Sequence, residues 1–174
     1  MREIQLIPVG EIDMGIPEFL ALALSDVFRV PCVIRRHDIR LEPAYSPERK
    51  QYHSTRILAQ LLRYADGPER KLLGVAGIDL YIPILTFVFG EAQLGRPCAV
   101  VSSYRLHQQF YGLPGDQILL YGRCEKEAVH ELGHTLGLVH CPDFECVMHY
   151  SNSIEAIDLK GRDFCPGCAR LLGL

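Results

Sequence analysis

Residues 130 to 140 read His-Glu-Leu-Gly-His-Thr-Leu-Gly-Leu-Val-His, the pattern HExxHxxGxxH. Side chains four apart on an α-helix leave the same face one turn apart, so His130 and His134 can present ring nitrogens to one ion. That requirement makes the segment helical, and the surrounding residues predict a helix from about Arg123 to Leu136. Gly137 is the expected stop, because glycine accepts the left-handed backbone that ends a helix and turns the chain so that His140 can return as a third ligand. Three protein ligands leave a fourth position open. An open position marks catalytic zinc, which lowers the pKa of bound water to roughly 7 and polarises a substrate carbonyl. Glu131 follows the first ligand and is the expected general base, passing the proton on to the departing amine. Gly133, inside the helix, costs about 1 kcal/mol relative to alanine, so a packing or substrate-clearance reason is expected there.

A second cluster begins at the next residue. Cys141 and Cys146 form a CxxxxC pair, and Cys165 and Cys168 a CxxC pair. Two such pairs can close a tetrahedral four-thiolate zinc site with no open position, a structural site whose binding energy contributes to folding. Two buried pairs or two disulfides are the competing reading. Cys141 directly follows His140, so a structural zinc here would fix the backbone that delivers the third histidine. Cys32, Cys98 and Cys124 lack partners at ligand spacing and are expected in the core.

Upstream, Glu3 to Val9 alternates as a strand, and Pro17 to Phe28 carries apolar residues at helical spacing. Pro31 to Arg36 reads as a second strand. Ser46-Pro47-Glu48 looks like a capped helix start, with Ile57, Leu58, Leu61, Leu62 and Ala65 forming a buried face before Gly67 and Pro68. Lys71 to Leu80, Thr86 to Leu94 and Pro97 to Tyr104 are rich in Val, Leu, Ile and Phe and bounded by Gly and Pro, which predicts three more strands. Strands alternating with helices predict an α/β fold with a mixed, largely parallel sheet covered by helices. The expected organisation is one compact unit, with residues 1–140 carrying the sheet and active-site helix and 141–174 a small part lacking a core of its own.

Length and charge narrow the function. A chain of 174 residues suits one such unit. Its formal charge of -3 gives no electrostatic reason to bind nucleic acid or an anionic membrane. The N-terminal MREIQLIPVG lacks the long apolar stretch of a secretory signal, so the cytoplasm is the expected compartment, where thiols serve as metal ligands more readily than as disulfides.

Taken with Met148 in Cys146-Val147-Met148-His149-Tyr150, the histidine pattern resembles the metzincin clan of zinc metalloproteases. A cysteine immediately after the third histidine, then CxxxxC-x-Met and a later CxxC, resembles the archaemetzincins in particular. The resemblance implies a mixed five-stranded sheet, backing helices, an active-site helix, a C-terminal helix, and a cleft between upper and lower parts. It makes Met148 the Met-turn residue and the Thr86 to Leu94 strand an antiparallel edge that receives an extended peptide. Tyr150 stands where astacin-like and serralysin-like enzymes have a zinc-binding tyrosine. Its three readings are an oxyanion donor, an extra ligand and a side chain packed beside the turn.

The expected protein is therefore a monomeric zinc peptidase with two zinc ions, one catalytic and one structural, acting on a peptide or protein substrate. Two rivals stay open: Glu155 in place of His140 as third ligand, and a zinc-stabilised peptide-binding protein with weak or no catalytic activity.

Overall fold

A computed structural model describes residues 1–173, so Leu174, the last residue of the expected C-terminal part, lies outside the described residues. The main sheet joins β1 (Glu3–Val9), β2 (Cys32–Ile34), β5 (Arg70–Ala76), β7 (Gly90–Ala92) and β8 (Cys98–Ser102) in the order β2-β1-β5-β8-β7. All neighbours are parallel except β7, which runs antiparallel to β8 at the edge. The sheet is thus the five-stranded mixed one that the family resemblance implied.

Strand periodicity divides the core. Ile4, Leu6, Leu73, Val75, Ala99 and Val101 face one way, against α1 (Gly15–Phe28) and α3 (Gln117–Thr135). Ile7, Val9, Leu72, Ala76, Cys98 and Val100 face the other, against α2 (Ser54–Leu61). Alternate side chains of a strand point to opposite faces, so each central strand is apolar on both. Past α3 come α4 (Ile154–Leu159) and α5 (Pro166–Leu172). Cys146, Val147, Met148, Ile157 and Cys168 join the α1/α3 core, so the C-terminal segment packs on the same core as the rest.

Several boundaries differ from expectation. Ser46 does not start a helix: β3 (Tyr45–Ser46) and β4 (Gln51–His53) form a hairpin, and α2 begins only at Ser54. Lys50, at φ 55°, takes the left-handed backbone that closes the turn, and its N–H donates to Ser46 O at 2.8 Å. The strand expected over 71–80 ends at Ala76. Leu80–Tyr81, β6, instead pairs with β4 in a small second sheet. Gly77 lies at the break, packed so tightly on the Glu11 backbone that no Cβ would fit. Of 86–94, only Gly90–Ala92 joins the ladder. Among the described residues no helix is long and apolar enough to cross a membrane.

Candidate metal centre and active-site cleft

Asp116 starts the helix that carries the histidines, its carboxylate accepting the Leu119 N–H at 2.9 Å. This cap adds nearly two turns before the expected start at Arg123. At the other end Gly137 adopts φ 96° as the stop. The exposed carbonyls of the last turn find donors from strand β5 and from the turn between β7 and β8: Lys71 Nζ reaches Thr135 O at 2.9 Å and Gly95 N–H reaches His134 O at 2.9 Å. A cation at a helix C-terminus also complements the helix dipole.

His130, His134 and His140 converge, each offering a ring nitrogen within 4.8 Å of the others. His130 Nε2 and His134 Nε2 lie 3.1 Å apart. Two nitrogens at about 2.0–2.1 Å from a tetrahedral zinc would be roughly 3.3 Å apart, so the donor set fits that ion. Each helical histidine is oriented from behind, Nδ1 of His130 against Val147 O at 2.8 Å and Nδ1 of His134 against Leu138 O at 2.7 Å. A proton on Nδ1 leaves the Nε2 lone pair for a metal. Burial, and then the Lys160 ammonium, push His130 down to about 2, while His134 and His140 are also lowered, chiefly by burial. All three rings are held neutral, the form that binds metal.

Glu131 is buried beside them. Burial first, and the neighbouring Glu127 carboxylate second, raise its pKa well above the usual carboxylate range, with Lys160 opposing. Both glutamates line a cleft of about 480 Å³ that also takes in His130, His134, His140 and the edge strand β7. Tyr150 lines it too, its ring centroid 5.2 Å from that of His140. Met148 is fully buried beneath Gly133, where a Cβ would collide with its sulfur. That is the packing reason expected for a helical glycine.

Cys141, Cys146, Cys165 and Cys168 also converge with their sulfurs within 4.8 Å of one another. Cys141 Sγ and Cys165 Sγ are 3.8 Å apart, with no disulfide between them. Tetrahedral zinc at about 2.3 Å from each sulfur sets its thiolates roughly 3.8 Å apart, so this donor set fits as well. The Cys141 N–H donates to Met148 O at 3.0 Å, joining the start of the cysteine cluster to the turn under the active-site helix. Cys98 and Cys124 are buried as expected, and Cys32 is half-buried.

A family model described as "Peptidase family M54" matches residues 30–173. The archaemetzincin of Methanocaldococcus jannaschii is 42% identical over 165 residues, 95% of this chain and 89% of that protein. The chain belongs to the archaemetzincins. It is a zinc metallopeptidase of that family. The crystal structure of the Archaeoglobus fulgidus archaemetzincin, complexed with malonate, is 39% identical and superposes with a TM-score of 0.84, covering 97% of this chain and 99% of that one. The Methanopyrus kandleri archaemetzincin structure is 38% identical with a TM-score of 0.86, covering 99% of this chain and 93% of that one.

The cleft is also lined by Gly90, Glu127, Ser151 and Asn152, to which the sequence assigned no role of their own. Glu127 carried a legible signal, being one helical turn before Glu131 and so on the same face. Gly90 carried another, since glycine inside a strand marks a close approach of other atoms. Glu155 is exposed on the first turn of α4, outside the histidine cluster.

Proposed function

We propose that His130, His134 and His140 hold a catalytic zinc, that Glu131 is the general base, and that the four cysteines hold a second, structural zinc. The observation that carries this reading is the pair of preset histidines, each with Nδ1 held by a backbone carbonyl and Nε2 turned to a shared point. When bound, zinc would acidify a coordinated water and polarise the scissile carbonyl. Glu131, adjacent to the first ligand, takes the proton from the attacking water and delivers it to the departing amine.

The outer edge of β7 offers main-chain donors and acceptors along the cleft, where an extended peptide would add as a further strand. Tyr150, half exposed beside His140, is the side chain we assign to the oxyanion of the tetrahedral intermediate. The Met148 turn and the cysteine cluster act as the base on which His140 is set. Residues 1–140 and 141–174 then form two parts of one catalytic unit, which we read as a monomer acting in the cytoplasm on peptides or proteins.

Metal analysis of the purified protein together with peptide cleavage followed by mass spectrometry tests the reading. Two zinc ions per chain are expected, falling to one in His140→Ala and staying at two in Glu155→Gln. Loss of zinc in Glu155→Gln with retention in His140→Ala would contradict the ligand assignment, and one zinc with no cleavage would favour a binding protein.

A further inference from the structure

The reaction assigned above leaves one buried carboxylate of the cleft without a task. Glu127 is 4% exposed yet lines the cavity, one turn along α3 from Glu131. Its Oε1 accepts from Lys160 Nζ at 2.8 Å, and Lys160 also approaches His149 O at 3.4 Å. The Lys160 side chain is 1% exposed and is absent from the cavity wall, so the ammonium stands behind the carboxylate. Among the described residues Lys160 Nζ is the one hydrogen-bond donor to the Glu127 carboxylate, and it reaches Oε1. Ser151 also lines this cavity, its Oγ buried with no partner among the described residues.

We propose that Glu127 is a specificity-determining residue of the cleft, selecting peptides that carry a lysine or arginine side chain beside the scissile bond. The proposal rests on the peptidase reading above.

A buried ion pair is often no more stabilising than apolar residues of the same size, so packing alone is a weak reason to have one on a cleft wall. The wall carries Glu91, Glu127 and Glu131 and no lysine or arginine. Glu91 is engaged by the hydroxyls of Ser54 and Thr55, and Glu131 is committed to the reaction, which leaves Glu127 Oε2 and Ser151 Oγ as acceptors. Phe87, Phe89 and Val139 give the same cavity apolar walls. A cavity with apolar walls and a carboxylate among them suits a methylene stem that carries a cation, which would make a charge-assisted hydrogen bond at its tip.

The test uses N-acetylated, C-amidated peptides of one apolar frame with a single varied position, so that no free α-amino group can supply the cation. Zinc-loaded wild type should cleave the lysine and arginine peptides about tenfold faster than the glutamate peptide at one position flanking the cut. Glu127→Gln should abolish that ratio. Because Glu127→Gln leaves Lys160 unpaired, Glu127→Leu/Lys160→Met, which removes both charges, is assayed beside it and should also abolish the ratio. An unchanged ratio in whichever variants fold, or a cation preference that appears only with free N-termini, would overturn the assignment.

Binding of the same peptides to Glu131→Gln, followed by fluorescence anisotropy, separates this idea from the reading beneath it. Tighter binding of the lysine peptide, lost on adding Glu127→Gln, supports the pocket even when wild type cleaves nothing, and the peptidase mechanism alone would then fail. Cleavage without any charge preference in rate or binding would sink the pocket alone.

Discussion

Gly90 on the edge strand and Glu131 on the active-site helix pack so closely that a Cβ at position 90 would lie 2.6 Å from both Cγ and Oε1 of Glu131. Strand pairing turns Ala92 and Gly90 toward α3 and Glu91 away from it, toward Ser54 and Thr55. The carboxylate thus occupies the space that a side chain would take. Gly90→Ala should push Glu131 out of line and lower kcat/KM by about 10²-fold, the scale of an error of roughly 1 Å in a catalytic group. Zinc content should not change. Steady-state peptide hydrolysis with parallel metal analysis checks this, and a fully active alanine variant would show that Glu131 does not need that space.

Gly133 and Met148 make a second close pair. Alanine at 133 would gain about 1 kcal/mol of helix propensity, but its methyl would meet the buried sulfur of Met148 and the Phe164 ring. Overpacking of this kind costs about 1–3 kcal/mol, so Gly133→Ala should be destabilising by up to about 2 kcal/mol. Urea denaturation measures it. A more stable variant would mean that the Met148 turn yields without cost.

The coupling between the cysteine cluster and His140 predicts an effect at a distance. Cys168 is buried in the core shared with α3, and Cys141 is bonded through its backbone to Met148. Cys168→Ser should remove the structural zinc and lower the melting temperature by roughly 10 °C or more. It should also weaken zinc at the histidines, because the residue after His140 loses its anchor. Zinc titration of the variant reads both sites. Unchanged affinity at the histidine site would show the two metals to be independent.

The residues that chemistry demands close together in sequence were legible, and those that meet only through the fold were not. His130 and His134 are one turn apart, and Gly137 announces the stop, so the end of α3 could be read directly. Its start could not, because Asp116 follows a Gly- and Pro-containing loop that gave no helical period. Ser46-Pro47-Glu48 suits a turn as well as a helix start, and pairing of Tyr45 with Tyr52 across the hairpin decided the matter. The apolar run Phe87 to Phe89 read as strand, yet the Phe87 ring packs under Arg105 at 4.2 Å and the run faces the cleft. Glu127 and Lys160 are far apart in sequence, and nothing local joins them.

The central claim is that Glu131 moves the protons of peptide hydrolysis while the histidines alone hold the metal beside it. Glu131→Gln keeps the size of the side chain and removes the base. Zinc per chain and the rate of peptide cleavage, measured on the same preparation, decide the claim. The account predicts two zinc ions, as in wild type, with cleavage lowered by about 10²–10⁴-fold. Cleavage at the wild-type rate with both zinc ions in place would contradict it.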